Sequence, residues 1–503
     1  MTVEQRERTL RGVRSFSEES LEACLEGHDP DTAGSHALAL YRDVVETVPA
    51  YRAFLAEQGV EPGAIRSLED FARLPLLTKA NYLQRYPLPE LCRGGRLESC
   101  DFISVSSGST GQPTFWPRFV TDELAIARRF EQVFCDSFRV TERRSLAIIC
   151  FPLGTWVGGM FTTACMRHLS SKGLPVVTVT PGNNKAEIFR VVSELGPLFD
   201  QVVLLGYPPF LKDVVDTGLA QGLDWKRLTI RMVMAGEVFS EEWRTLVGQR
   251  VGWDDPVFDS ASLYGTADAG VLGNETPLSI RIRRFLAEHP DLARQLFGES
   301  RLPTLVQYDP HQRYFETVDG TLLFTGDNGV PLVRYHISDT GGVIPYARMR
   351  EILAGWGFDP VTELSRGDRP ATIRELPFVY LFGRSHFTVS YFGANIYPEN
   401  VTVGLEQPGI QEWVTGKFVL ESKEDGDRNR FLSLTVELMP KESATPERAA
   451  AIADSVRAQL LRLNSEFAHY VPAGDQLPRV TLLPHGDPDY FPIGVKHRYT
   501  RKG

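Results

Sequence analysis

Residues 104–118 read SVSSGSTGQPTFWPR. The segment begins with a run dense in Ser, Thr and Gly and ends with an aromatic pair between two prolines. Small residues let a backbone approach a ligand closely, and successive N–H groups in such a loop form a concave anion site. The segment is not a GxxxxGK[ST] P-loop, because no Lys follows its last glycine, and it contains no GxSxG nucleophile elbow. By itself it leaves two interpretations open, a surface turn and a phosphate-binding loop.

Beyond residue 144, short apolar runs rich in β-branched residues alternate with helical stretches. This alternation predicts an α/β fold, with a large N-terminal domain of mostly parallel sheets flanked by helices. Several runs end in a glycine-containing turn, and ligands of such sheets bind at the carboxyl ends of strands. The runs are SLAIIC (145–150), LPVVTVT (174–180), QVVLLG (201–206) and TIRMVMAG (229–236).

The two ends of the chain have different patterns. Residues 1 to about 100 are polar and helical in character. After residue 400, the runs GKFVLE, FLSLTVEL and RVTLLP, with the helical PERAAAIADSVRAQLLRLNSEF, predict a compact α+β domain. Segment 275–315 is interpreted as an inserted helical excursion, and segment 352–372, rich in Gly, Pro and Asp, as a loop.

The bulk composition narrows the class of protein. The 503 residues exceed what one hydrophobic core supports, and the net charge is −10. An acidic balance argues against nucleic acid or an anionic membrane as the main partner. The N-terminus has no apolar signal-peptide core and no run of 18 apolar residues occurs, so a cytoplasmic location is expected. The six cysteines contain no CxxC pair and are expected to be reduced thiols.

A series of motifs carries a resemblance to a known family. SSGSTGQPT (106–114) resembles the SSGTTGKPT-like phosphate loop of the adenylate-forming superfamily, and Thr114 in place of Lys is typical of its phenylacetate–CoA ligase branch. Further segments resemble that branch in the same order along the chain. They are SLEDFARLPLLTKANY (67–82), FPLGTWVGGMF (151–161), MAGE (234–237), LYGTADAG (263–270), PLVRYHISD (331–339), FGRSHFTVSYFGANIYPENV (382–401) and PIGVKHR (492–498).

The resemblance implies a domain plan and a two-step reaction. A large adenylation domain would comprise residues 1–383, a hinge 384–386, and a small mobile α+β domain 387–503. ATP and a carboxylic acid, aromatic in class, would give an acyl-AMP and pyrophosphate, and an acceptor, first of all the thiol of coenzyme A, would then take the acyl group. Related activities stay open: amide ligation, carrier-protein loading and nitrite activation.

The resemblance also implies which residues contact ATP. The loop would hold the β- and γ-phosphates, MAGE would border the purine, and the LYGT segment would contact the adenine and the α-phosphate. Arg384 would mark the hinge and reach the nucleotide. The full set is Ser106, Ser107, Gly108, Ser109, Thr110, Gly111, Ala235, Gly236, Glu237, Tyr264, Gly265, Thr266, Asp339 and Arg384.

Two carboxylates have specific expected roles. Asp268 stands where the family motif has Glu and would hold Mg²⁺, with a helix N-cap as the alternative role. Asp339 would accept hydrogen bonds from both ribose hydroxyls. Asp327 in FTGDNG also matches a TGD motif of many relatives and competes with Asp339 for this role.

The catalytic lysine of the resemblance is Lys496, which would stabilise charge at the α-phosphorus. Relatives have Gly directly before this Lys, whereas Val495 intervenes here, so Arg498 and Lys502 stay open as substitutes. His386 stands at the hinge position that usually bears Asp or Lys.

The acid pocket and the partners complete the expectations. Trp156, Gly158, Tyr207 and Pro208 fall on segments that resemble the acyl-binding walls, with core packing as the alternative role of the aromatics. The partners expected are a small carboxylic acid, ATP, Mg²⁺ and an acceptor such as coenzyme A, with no nucleic acid and no membrane. A homodimer stays open, as does a noncatalytic nucleotide- or acyl-binding protein.

Overall fold

The computed structural model describes residues 3–25, 30–106, 114–298, 302–366, 369–384, 388–491 and 500. Its residues fall into two units. The first comprises Met1–Val105, Phe115–Gly206 and Gly218–Gly383, and the second comprises Ser106–Thr114, Tyr207–Thr217 and Arg384–Gly503. The division of the chain into 1–383, 384–386 and 387–503 stays a prediction.

The chain forms helices and strands along its whole described length. The helices are α1 (Val3–Glu18), α2 (Leu21–Leu25), α3 (Pro30–Thr47), α4 (Pro49–Glu57), α5 (Leu68–Phe71), α6 (Val120–Gln132), α7 (Val157–Ser171), α8 (Lys185–Leu195), α9 (Pro208–Ala220), α10 (Glu241–Val251), α11 (Pro256–Asp259), α12 (Pro277–Glu288), α13 (Pro290–Phe297), α14 (Tyr346–Gly355), α15 (Pro360–Arg366), α16 (Pro398–Leu405), α17 (Pro446–Leu463) and α18 (Ser465–Tyr470). The strands are β1 (Phe102–Ser106), β2 (Thr114–Arg118), β3 (Ser145–Ile149), β4 (Val176–Val179), β5 (Gln201–Gly206), β6 (Ile230–Ala235), β7 (Ser260–Thr266), β8 (Gly270–Asn274), β9 (Thr304–Gln307), β10 (Arg313–Val318), β11 (Thr321–Gly326), β12 (Leu332–Ile344), β13 (Phe378–Arg384), β14 (Val389–Tyr391), β15 (Ala394–Ile396), β16 (Val414–Glu424), β17 (Arg430–Leu438) and β18 (Arg479–Leu483).

One eleven-stranded sheet dominates the first unit, in the order β10-β11-β12-β13-β9-β8-β7-β6-β5-β3-β4. Strands β4, β3, β5, β6 and β7 pair in parallel, whereas β7–β8, β8–β9, β9–β13, β11–β12 and β10–β11 pair antiparallel. Every residue of β3 and β5 is buried, as expected for parallel strands covered on both faces. The predicted α/β fold is confirmed, and an antiparallel half extends its parallel sheet.

The N-terminal helices pack on the antiparallel half of this sheet. A cluster of buried aromatic rings from α3, α4 and the segments after them lies against apolar side chains of β11 and β12. Its members include Tyr41, Tyr51, Phe54, Phe71 and Tyr82, which contact one another edge to face or stacked. The helical character predicted for this region is therefore confirmed.

Two segment predictions need correction. Segment 275–315 begins with α12 and α13, but it then supplies β9, an interior strand between β8 and β13, so it is not an insertion outside the sheet. Segment 352–372 is not a loop, because the end of α14 and the whole of α15 lie in it. Its Gly and Pro mark helix ends: Gly355 is the last residue of α14, and Pro360 is the first of α15.

The second unit contains a small mixed sheet. β16 pairs antiparallel with β17, which pairs in parallel with β18, while β14 and β15 form a separate hairpin. Thr445 caps α17 through a hydrogen bond from the Arg448 amide, and Ile452, Val456 and Leu460 on one face of that helix are buried. The predicted α+β composition of this region is confirmed.

Two further features concern the described part of the chain. All six cysteines are free thiols. Within the described ranges, no helix is both long enough and apolar enough to cross a membrane.

Candidate nucleotide site

The carboxyl ends of two neighbouring parallel strands bring two predicted motifs together. β6 and β7 pair in parallel with Ala235 opposite Leu263, so the MAGE turn lies beside the LYGT segment. Gly236 is exposed and has a φ of +85°, a conformation that a side chain would strain. Glu237 is buried directly after it. The turn therefore lies at the sheet edge where α/β proteins bind ligands.

A hydrogen bond joins two of the predicted ATP contacts. The Tyr264 hydroxyl of β7 donates to Asp339 Oδ2 of β12 at 2.8 Å, and both residues are buried. The Tyr264 ring stacks on Phe315 at a centroid distance of 6.5 Å, which orients its hydroxyl toward β12. The buried Asp339 carboxylate is therefore held in place by a phenol.

The environment of Asp339 includes one imidazole. His336 lies on the same strand, and its Nε2 is 2.8 Å from the Thr321 hydroxyl. Burial lowers the pKa of His336, although the charge of Asp339 acts in the opposite direction. Burial thus favours the neutral form of the His336 imidazole beside Asp339.

Asp268 lies in the turn between β7 and β8 and is not a helix N-cap. The Ala269 amide donates to Thr266 Oγ1 and shapes this turn. Gly265 is required beside it, because a Cβ there would lie 2.7 Å from the Gly270 carbonyl oxygen. Asp268 is 3% exposed, and its Oδ2 accepts a hydrogen bond from the Tyr335 hydroxyl at 2.6 Å. The carboxylate is thus fixed at the end of β7.

Lys79 is a candidate site residue that the sequence reasoning missed. Its Nζ lies 3.5 Å from Asp268 Oδ1 and 5.4 Å from the centre of the Trp116 ring. Lys79 is the first residue of a short helical turn, Lys79–Leu83, that Thr78 and Asn81 cap reciprocally. The only available signal was its place in the quoted segment LLTKANY.

A backbone bridge brings that turn to Asp268. The Leu77 amide donates to the Arg334 carbonyl at 3.2 Å, and the His336 amide donates to the Leu77 carbonyl at 2.8 Å. Leu77 thus pairs with Tyr335, the residue that bonds Asp268. The pairing of Leu77 with β12 therefore brings the Lys79 ammonium to Asp268 in the β7–β8 turn.

The residues around Asp268 fit a weakly held Mg²⁺. Asp268 Oδ1 is buried and accepts no hydrogen bond in the described part of the chain. Mg²⁺ typically takes one or two carboxylates together with substrate phosphates and waters. Over the same residues, no group of three or more His, Cys, Asp or Glu side chains is arranged to hold a metal. One carboxylate oxygen suits an ion that arrives with a polyphosphate.

The competing aspartate has a different environment. Asp327 Oδ2 accepts from Arg8 at 2.8 Å, and Oδ1 lies 2.9 Å from Arg93 Nη1. Its side chain is 43% exposed, in the turn between β11 and β12. Two arginines already neutralise this carboxylate, whereas Asp339 bonds Tyr264.

The residues predicted to border the acid are buried or lie at the start of helices in their respective units. In the first unit, Trp156 is buried and bridges to Val105, whose amide donates to the Thr155 carbonyl at 2.9 Å, and Gly158 lies in the first turn of α7. In the second unit, Tyr207 is buried with its ring 5.4 Å from that of Tyr470. Pro208 begins α9.

Several predicted residues lie outside the described ranges, namely Ser107, Gly108, Ser109, Thr110, Gly111, His386, Lys496, Arg498 and Lys502. Ser106 is the last residue of β1 and Arg384 the last of β13. The roles of all these residues stay predictions.

Comparison with known proteins identifies relatives of the chain, although no family model matches it. It is 22% identical over 433 residues to a phenylacetate–coenzyme A ligase of Aromatoleum evansii, covering 83% of each chain. It is 25% identical over 301 residues to the phenylacetate–coenzyme A ligase of Thermus thermophilus, covering 59% of this chain and 61% of that enzyme.

A solved structure has the same fold. A 2-hydroxyisobutyryl-CoA ligase in complex with 2-HIB-AMP and CoA matches with a TM-score of 0.61 at 15% identity, over 97% of this chain and 91% of that one. The chain is an AMP-forming ligase. Its resemblance to phenylacetate–CoA ligases is confirmed at weak identity, and its fold is that of the adenylate-forming enzymes.

Proposed function

We propose that this ligase uses ATP to adenylate a carboxylic acid, aromatic in class, and then transfers the acyl group to the thiol of coenzyme A. The observation that carries the ATP part is the convergence of Tyr264, Asp339 and Asp268. Residues from β7, β12 and the β7–β8 turn meet beside the MAGE turn at the carboxyl edge of the sheet. The acid and the acceptor rest on the names of the relatives.

Asp339 positions the ribose in this proposal. An ionised carboxylate has about four lone-pair sites, and Tyr264 occupies one of them. Hydrogen bonds from the two ribose hydroxyls would use others, while Tyr264 holds the carboxylate still. The adenine would lie along Ala235–Gly236–Glu237, where the exposed glycine leaves its backbone open.

Asp268 and Lys79 act on the triphosphate. Asp268 Oδ1 would hold Mg²⁺, which when bound neutralises charge on the phosphates. The Lys79 ammonium would bind a phosphate oxygen, because it is held beside Asp268 by a fixed turn and a ring face. Ser106, Ser107, Gly108, Ser109, Thr110 and Gly111 would bind the leaving pyrophosphate with backbone and hydroxyl donors.

Two groups complete the proposed reaction. Lys496 would stabilise the charge that develops at the α-phosphorus when the carboxylate attacks. Trp156 and Gly158 would border the acid, since an aromatic wall beside a glycine suits a flat ring. The resemblance also assigns Arg384 to the nucleotide and Tyr207 and Pro208 to the acid, and these roles stay predictions.

Pyrophosphate exchange tests the first half-reaction. The full-length protein is incubated with ATP, Mg²⁺ and labelled pyrophosphate, and with a panel of aryl acids, aliphatic acids and nitrite. We expect exchange with an aryl acid, and thioester formation once coenzyme A is added. Exchange without thioester formation would refute coenzyme A as the acceptor. Exchange with nitrite alone would refute a carboxylic acid as the substrate. ATP binding without exchange for any acid would support the noncatalytic alternative.

The lysine assignment has a matched control near the same terminus. Lys496→Ala should lower the exchange rate at least about a hundredfold, because the group that stabilises the transition state is lost. Lys502→Ala removes the same charge six residues later and should leave exchange within roughly twofold. The reverse result would assign the role to Lys502.

A further inference from the structure

The first unit contains a cavity whose lining includes none of the residues of the proposed nucleotide site. Its volume is about 370 Å³, within the range of small-molecule sites. α1, α3, α6 and the β9–β10 connection supply most of its walls. The lining includes Arg8, His36, Thr121, Asp122, His311 and Arg313. Asp327, the competing aspartate of the TGD motif, also lines this cavity, whereas Tyr264, Asp268 and Asp339 do not.

Two buried arginines near this cavity form no ion pair within the described ranges. Arg118 is 1% exposed and Arg313 is 5% exposed. Among the described residues, neither guanidinium lies within 4.0 Å of a carboxylate oxygen. Burying a charge without a partner costs several kcal/mol, by order of magnitude. Two buried cations that nearby carboxylates compensate only from beyond ion-pair distance favour a negative occupant in the cavity.

The nearest carboxylate is engaged elsewhere. Asp122 Oδ2 accepts hydrogen bonds from the amides of Phe119 at 3.1 Å and Gly329 at 2.7 Å. Burial raises the pKa of Asp122 to about 6 against the opposing charge of Arg118. This carboxylate thus cannot balance both arginines. Asp327 adds little negative charge, since Arg8 and Arg93 already pair with it.

Two residues in the cavity wall have a hydrogen-bond donor without an acceptor among the described residues. Arg313 donates to neutral acceptors, the Ala269 carbonyl at 3.2 Å and Asn328 Oδ1 at 3.1 Å, but its Nε has no partner in the described part of the chain. Thr121 Oγ1 is likewise buried without a hydrogen bond there. Burial lowers the pKa of Arg313 to about 10 against the opposing charges of Asp122 and Asp327, and the charge of Arg118 adds to the effect of burial. A ligand with acceptor oxygens would satisfy these donors.

We infer that this cavity binds a small anion bearing a carboxylate or phosphate group. Arg313 Nε and the Thr121 hydroxyl donate to it, and Arg8, 29% exposed, lies at the more accessible part of the wall. The imidazoles of His36 and His311 stack at 4.9 Å and form a flat side of the cavity. The inference goes beyond the proposed function, because none of its residues contacts ATP or the acid there.

The cavity is linked to the turn that carries Asp268. Arg118 donates to the Ala267 carbonyl, and Arg313 donates to the Ala269 carbonyl, on either side of Asp268. An anion that draws Arg313 toward the cavity therefore acts on Ala269, the residue that follows the proposed Mg²⁺ ligand. Occupancy should change the affinity for ATP, with the reciprocal effect required by linkage.

Anion binding to the full-length protein without ATP tests the inference. Inorganic phosphate, succinate and citrate are titrated by calorimetry and thermal unfolding, with NaCl at matched ionic strength as the control for screening. The phosphate arm and the two carboxylate arms separate the two chemistries. We expect at least one of them to bind with a dissociation constant below about 10 mM and to raise the unfolding temperature.

Variants locate the bound anion. Ala125→Phe fills the cavity without removing a charge, and Ala451→Phe adds the same ring on an exposed position of α17. Arg313→Gln removes the buried cation, and Thr121→Val removes one hydroxyl while keeping the side-chain shape. We expect Ala125→Phe and Arg313→Gln to raise the dissociation constant at least about tenfold, Thr121→Val severalfold, and Ala451→Phe not at all.

Three results would overturn the inference. One is the absence of binding by all three anions at about 10 mM. Another is binding that Ala125→Phe and Thr121→Val leave unchanged, which would place the anion elsewhere. The third is an equal stabilisation by NaCl, which would reduce the effect to screening. Because Thr121→Val conserves shape, it keeps the test valid if Arg313→Gln fails to fold.

Discussion

Two aspartates near one β-hairpin, Asp327 and Asp339, have opposite environments. Asp327 lies in the turn before β12, half-buried and paired with Arg8 and Arg93. Asp339 lies inside β12, 4% exposed, and accepts a hydrogen bond from Tyr264. Asp327 belongs to the more familiar TGD motif, yet its charge is already compensated by the guanidinium groups of Arg8 and Arg93. The partners of a carboxylate, and not the motif around it, indicate whether a ligand is expected to bind it.

The largest expected effect separates these two residues. Asp339→Ala should weaken ATP binding by roughly a hundredfold or more, because two hydrogen bonds to a charged acceptor, each worth about 1.5–3 kcal/mol, would be lost. The dissociation constant of ATP measured by calorimetry checks this. An unchanged dissociation constant would mean that Asp339 does not bind the ribose, so that the two aspartates would no longer differ in function.

Asp268→Asn should lower the rate of pyrophosphate exchange by about ten- to a hundredfold. The substitution keeps an oxygen for the Tyr335 hydroxyl but removes the charge that would hold Mg²⁺. Exchange rates measured over a Mg²⁺ series should show partial recovery at high concentration. If the variant has the wild-type Mg²⁺ dependence, Asp268 is a structural residue of the turn.

Lys79→Met should reduce kcat/KM for ATP by about tenfold, since an ammonium at 3.5 Å from Asp268 is lost while an apolar side chain still covers Trp116. Lys185→Met, on the distant helix α8, serves as the charge control. A higher rate at low Mg²⁺ would contradict this expectation, because it would mean that Lys79 competes with the metal for Asp268.

The smallest effect on ATP binding is expected from a substitution of Asp327. Asp327→Asn should leave the dissociation constant of ATP within roughly twofold and lower the unfolding temperature by at most about 2 °C, because partly exposed ion pairs contribute about 1 kcal/mol or less. Thermal unfolding and calorimetry on the same sample measure both. A tenfold loss of ATP affinity would reverse the roles of the two aspartates.

Much of the fold was predictable from local patterns. Continuous apolar runs such as QVVLLG predicted strands of the sheet, and the segment PERAAAIADSVRAQLLRLNSEF predicted the helix α17. The wrong predictions came from composition. Glycine and proline in 352–372 mark the ends of two helices, and the Arg- and Glu-rich 275–315 contains an interior strand.

The sequence by itself determined the alternation of strands and helices in 145–236, the glycine turns at the sheet edge and the resemblance to adenylate-forming ligases. These features depend on residues close together in the chain. Only the tertiary structure decided that Lys79 lies beside Asp268, that Tyr264 bonds Asp339 and that Arg313 has no carboxylate partner among the described residues. Such contacts join residues far apart in sequence, and they follow from the order in which the strands pair. Local patterns carry no information on that order, because loop length and side-chain periodicity are compatible with several arrangements.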